Sequence, residues 1–100
     1  MNQNYSRPIS VVPATGILIN RGTRIAALSL TNSDASAVSI YDGGNVGTRK
    51  WSLRTPTAGG SDTISFDDAP LNFKTNVYIE VVTAGTAPIL SIATLEPEVS

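Results

Sequence analysis

Val77-Tyr78-Ile79-Glu80-Val81 alternates apolar and polar side chains, and beyond Ala84-Gly85-Thr86 and Pro88 the stretch from Ile89 to Leu95 returns as a second β-branched run. Successive side chains of an extended chain point to opposite faces, so alternation of this kind marks a strand with one buried face. The spacing predicts an antiparallel hairpin with a short loop, placing Val77, Ile79 and Val81 inward and Tyr78 and Glu80 outward.

The same pattern recurs upstream. In Arg24-Ile25-Ala26-Ala27-Leu28-Ser29-Leu30-Thr31 it puts Ala26, Leu28 and Leu30 on one face and Ser29 and Thr31 on the other, before the turn at Asn32-Ser33-Asp34. Val38 and Ile40 alternate with Ser39 and Tyr41, and Trp51 and Leu53 fall inward between Lys50, Ser52 and Arg54. Ile64 and Phe66 repeat the arrangement, and Leu71-Asn72-Phe73 is expected to cross between sheets or wrap the core edge. Ile9 to Val12 stops at Pro13, and Gly16 to Ile19 stops at Asn20-Arg21-Gly22; both read as edge strands. No segment carries the helical period. The chain is therefore expected to be all-β, an antiparallel β-sandwich or jelly roll of about eight short strands. A single domain over 9–95 is flanked by a flexible polar arm at 1–8 and a flexible tail at 96–100, where Pro97 opposes a strand interior.

Composition agrees with this reading and closes several functions. A chain of 100 residues with 41% hydrophobic and 15% charged residues has enough apolar side chain for one core. It contains neither Cys nor His, so thiol nucleophiles, thiolate metal sites and the usual general base are missing. A net charge of −1 argues against nucleic acid as a partner, because that affinity comes largely from cations on phosphates. The polar start, Met1 to Pro8, has no apolar signal segment, and no stretch approaches the roughly 20 apolar residues of a membrane span. Synthesis in the cytoplasm and no membrane partner are expected.

The remaining chemistry is thin. Ser52 with Lys50 or Lys74 is the one conceivable dyad, and it forms no recognisable motif. Asp62, Asp67 and Asp68 offer oxygen ligands suited to Ca²⁺, but their spacing fits no calcium loop and Asp67-Asp68 before Pro70 reads as a turn. Gly43-Gly44 and Gly59-Gly60 open no helix and are turn residues, not a phosphate cradle. No catalytic, metal or cofactor residue is assigned, and the chain is expected not to be an enzyme.

Surfaces are more informative. Tyr41 and Tyr78 lie outward on strands whose other face is apolar, and Tyr5 sits in the arm; tyrosine gives large contact area at low entropic cost. The loop from Asp42 to Thr48 is expected to be mobile. Charge is split: up to residue 54 the chain carries +4, from Arg7, Arg21, Arg24, Arg49, Lys50 and Arg54 against Asp34 and Asp42, and the remainder carries −5. Either basic and acidic strands neighbour one another in a sheet, or complementary faces join subunits.

Leu28-Ser29-Leu30-Thr31-Asn32, Val38-Ser39-Ile40-Tyr41-Asp42-Gly43, Ala58-Gly59-Gly60-Ser61, Ile64-Ser65-Phe66, Pro70-Leu71-Asn72-Phe73 and Asn76-Val77-Tyr78-Ile79 follow one another between Ala26 and Leu95. In this order they resemble the small β-sandwich or jelly-roll proteins that decorate, cement or spike the heads of tailed bacteriophages. Similar proteins usually carry Gly before the last Val-Tyr; Asn76 stands there, a residue that tolerates a left-handed backbone. The resemblance implies a virion protein on the capsid surface, bound to the major capsid protein and to copies of itself, as a homotrimer. Interface candidates are Tyr5, Arg7, Tyr41, Asn45, Arg49 and Tyr78. The alternative is a carbohydrate- or receptor-binding module using Tyr41, Tyr78 and the Asp42–Thr48 loop.

Overall fold

The computed structural model describes residues 4–44, 46–66 and 69–97, the side chains of residues 4–7 and 96–97 excepted. Its elements are all strands: β1 (Asn4–Val11), β2 (Gly16–Ile19), β3 (Thr23–Asn32), β4 (Ser36–Asp42), β5 (Thr48–Thr55), β6 (Gly60–Ser65), β7 (Leu71–Phe73), β8 (Val77–Thr83) and β9 (Ile89–Pro97). They form two antiparallel sheets, one ordered β1-β9-β3-β6 with β7 also on β3, the other ordered β2-β8-β4-β5.

The order has a simple origin. β1 pairs with β9, β2 with β8, β3 with β6 and β7, and β4 with β5, as in one long ribbon doubled back at the β4–β5 turn. Rolling that ribbon brings β9 beside β3 and β8 beside β4. This is the jelly-roll arrangement of a β-sandwich. Ile25, Leu28, Leu30, Val38, Ile40, Leu53, Phe73, Val77, Ile79, Leu90 and Ile92 are buried between the sheets, each contributing about 1.5–3 kcal/mol relative to exposure.

Several expectations are corrected. Val77–Thr83 and Ile89–Pro97 are not a hairpin: β8 lies in one sheet and β9 in the other, and residues 84–88 arch between them. The arch is tied to the β3–β4 connection. Asp34 Oδ1 accepts from Thr86 N at 2.8 Å and Asp34 Oδ2 from Thr86 Oγ1 at 2.5 Å, while Asn32 Oδ1 accepts from Ala87 N at 2.9 Å and Asn32 Nδ2 donates to the Ala84 carbonyl at 3.3 Å.

Ile25, not Ala26, faces the core ahead of Leu28 and Leu30. A bulge between Ile25 and Ala27 inserts one residue against β9, so alternation resumes in the opposite phase. The arm expected over 1–8 is paired from Asn4 onward, and the tail expected from 96 enters β9 as far as Pro97. An edge strand bonds on one side only and accommodates Pro8, so polarity and proline did not end it. Trp51 keeps the phase of Leu53 but, on the outermost strand of its sheet, stays 37% exposed and packs edge-on against Phe66, ring centroids 5.1 Å apart.

Candidate functional site

The outward positions of the β2-β8-β4-β5 sheet gather three of the residues singled out by sequence. Register sets Ile17 opposite Tyr78, Tyr78 opposite Tyr41, and Tyr41 opposite Arg49, one row across the sheet. The two tyrosine rings meet edge to face at 6.3 Å and 74°, a geometry aromatic pairs favour. Tyr41 Oη donates to Glu80 Oε1 at 3.0 Å, and that bond holds the Tyr41 phenol above its ordinary pKa, because the ionised form would face a carboxylate. In the next rows Glu80 stands opposite Ser39 and Ser39 opposite Ser52. A bulge between Ala37 and Val38 leaves Val82 as the extra residue of β8, projecting outward. Ile17 is 53% exposed and Val82 62%. Apolar atoms, aromatic rings and both signs of charge are thus combined on one face, the mixture of an interaction surface.

Sequence reasoning did not single out Ile17 or Val82. Ile17 sits in a short apolar run whose phase the β2 bulge between Ile17 and Ile19 resets, and Val82 follows Val81 in a pair whose inward member alternation alone assigns. Of the other candidates, Tyr5 and Arg7 lie in β1 opposite Glu96 and Thr94, at the edge of the other sheet, and their side chains are outside the description. Asn45 lies outside the described residues, as do Asp67 and Asp68 of the calcium reading.

The loop beside the tyrosine row is braced at its base. Asp42, at the end of β4, accepts from the amides of Lys74 (2.9 Å), Thr75 (2.9 Å) and Asn76 (3.4 Å). Asn76 Oδ1 answers by accepting from the amides of Gly43 and Gly44 at 3.1 and 3.2 Å. No described non-glycine residue has positive φ, so Asn76 serves through its side chain and not through a left-handed backbone. The amide donors hold the Asp42 carboxyl below the usual carboxylate range, Lys74 foremost.

A side chain bridges the β5–β6 seam. Asp62 Oδ2, from β6 in the other sheet, accepts from the Arg54 amide of β5 at 3.1 Å. β5 further carries Arg49, Lys50 and Arg54, and β1 carries Pro8; charge and proline on outer strands discourage edge-to-edge pairing. The basic strand therefore meets an acid across the seam between sheets. Compared with protein-family models, curated proteins and solved structures, the chain matches none.

Proposed function

We propose that the protein is a non-catalytic subunit of a tailed-phage head that binds the outside of the shell and stabilises it, docking through the outer face of the β2-β8-β4-β5 sheet. The observation that carries this reading is the pair of exposed apolar side chains, Ile17 and Val82, on the face that also holds the Tyr41–Tyr78 pair. The blunted strand edges support docking by faces over strand addition. The jelly-roll order accords with the resemblance of residues 26–95 to head-decorating proteins. Self-association as a homotrimer, with the major capsid protein as second partner, completes the proposal.

Sedimentation with heads assembled without the protein tests it. The wild type is expected to pellet with the heads and raise their resistance to heat, and the Ile17→Asp, Val82→Asp double variant, altered only at outward positions, is expected to fold and stay in the supernatant. A wild-type protein that remains monomeric by light scattering and ignores such heads overturns the reading.

A further inference from the structure

The outer face of the β1-β9-β3-β6 sheet has an unusual make-up for a wetted surface. Register lines up Pro8, Ala93, Ala27 and Ser65 in one row and Ser10, Ser91, Ser29 and Thr63 in the next. Ile89, 40% exposed, stands with Thr31 and Ser61 at one end, and Leu95 with Arg24 at the other. Arg24 is the one charged side chain on this face among the described residues. Solvated sheet faces ordinarily carry long charged side chains, and depletion of charge marks surface that another surface covers. Covering this one costs little. Its side chains are short and lose little rotamer freedom. Its central hydroxyls are already bonded in pairs, Ser10 to Ser91 at 3.1 Å and Ser29 to Thr63 at 2.9 Å, so contact does not leave them without partners.

A second copy is the occupant this face fits. A two-fold contact sets a patch against itself, which like charges normally oppose. With the axis in the plane of the sheet, across the strands and midway along the face, each strand lies over its own counterpart running the opposite way. Ile89 then meets Leu95 of the other copy, Arg24 meets Thr31, and the alanine row meets the hydroxyl row. The two Arg24 positions stand three rows apart, about 20 Å at 3.4 Å per residue, where physiological salt screens their repulsion. A charged foreign surface, by contrast, finds a single counter-charge here. Four strands about 4.8 Å apart, followed over seven residues, cover roughly 450 Å² per copy. The pair therefore buries roughly 900 Å², the size of weak and reversible contacts.

We propose that two copies pair reversibly through the outer face of the β1-β9-β3-β6 sheet. The pairing goes beyond the proposed function: it adds a two-fold contact to the three-fold one and leaves the tyrosine face outward on both copies. The test is sedimentation equilibrium of the full chain over a concentration series reaching the millimolar range, where contacts of this size populate. The wild type is expected to reach even numbers of copies, two alone or six from paired trimers. Because Arg24 of one copy faces Thr31 of the other, Thr31→Glu should tighten the pairing about two- to tenfold, the size of two exposed ion pairs, and the gain should fade in high salt. Thr31→Lys should loosen it, and Ser91→Lys, at the centre, should abolish it while keeping the spectrum of a folded chain. The Ile17→Asp, Val82→Asp variant, altered on the other sheet, should pair as the wild type does. Only one or three copies at every concentration, no tightening by Thr31→Glu, or pairing that survives Ser91→Lys but is lost in the Ile17→Asp, Val82→Asp variant would each overturn the proposal. Pelleting with heads is a separate readout, so failure here leaves attachment to a shell to its own test.

Discussion

Single side chains hold this fold where strands alone do not. Thr55 Oγ1 donates to the Asp34 carbonyl at 2.8 Å and accepts from Ser36 N at 2.9 Å, with Ser36 Oγ 2.7 Å away, Ser36 of β4 and Thr55 of β5 both being buried. Thr55→Val keeps the shape but strands these groups, and is expected to destabilise by about 1–3 kcal/mol in urea unfolding. Asp34 and Asp42 act as anchors, and hydrogen bonds hold both below the ordinary carboxylate range, Thr86 being the main cause at Asp34 and Lys74 at Asp42. A depressed folded pKa gives stability that is present above the unfolded value, about 3.9, and is lost as pH falls through the folded one. The melting temperature is therefore expected to drop below about pH 4, and the Asp34→Asn, Asp42→Asn double variant should start lower and show a flatter acid limb. An acid limb unchanged by both substitutions would contradict the anchoring role. At Tyr41 the bond to Glu80 predicts phenol ionisation above the usual tyrosine range in an absorbance titration, moving back toward it in Glu80→Gln.

At the scale of elements, most strands were legible because one buried face imposes alternation, as Val77-Tyr78-Ile79 and Val38-Ser39-Ile40 show. Two things were not. The bulge near Ala26 leaves two successive half-buried alanines and no other mark, so the phase before it was read from Leu28 backward and came out inverted. Ile25→Ala is expected to cost about 2–5 kcal/mol as a core truncation, and Ala26→Ser within about 0.5 kcal/mol as an outward change; comparable losses would place the bulge elsewhere. The path from β8 to β9 was read as a hairpin because a short loop after alternating residues looks the same whether it turns within a sheet or arches to the next. What decides is the Asn32 and Asp34 clasp on residues 84–87, contacts between positions some fifty residues apart. Gly85 makes that clasp possible: its φ is +70°, and a Cβ there would collide with Asn32 Nδ2 and come 2.5 Å from the Ala35 carbonyl oxygen. Gly85→Ala is expected to lower stability by about 2 kcal/mol or more in the same unfolding assay.

Over the whole molecule, the roll-up gives the two sheets different outer faces. On the β1-β9-β3-β6 sheet a row of small hydroxyls, Ser10, Ser91, Ser29 and Thr63, bonds to itself at 3.1 and 2.9 Å. On the other sheet, tyrosines, arginines and exposed aliphatic side chains share one face. The tyrosines of this site were legible as outward members of alternating strands. Ile17 was not, because a bulge resets the phase of β2, and Val82, which keeps the outward phase of Tyr78 and Glu80, was passed over. The account rests on that face being the one that meets the shell. Hydroxyl-radical footprinting of the protein free and mixed with the phage heads of the proposed function addresses this directly. Protection of Ile17, Tyr41, Tyr78 and Val82 with Ile89, exposed on the opposite sheet, unchanged is the predicted result; equal labelling of the tyrosine face in both states, or protection centred on Ile89, would contradict it.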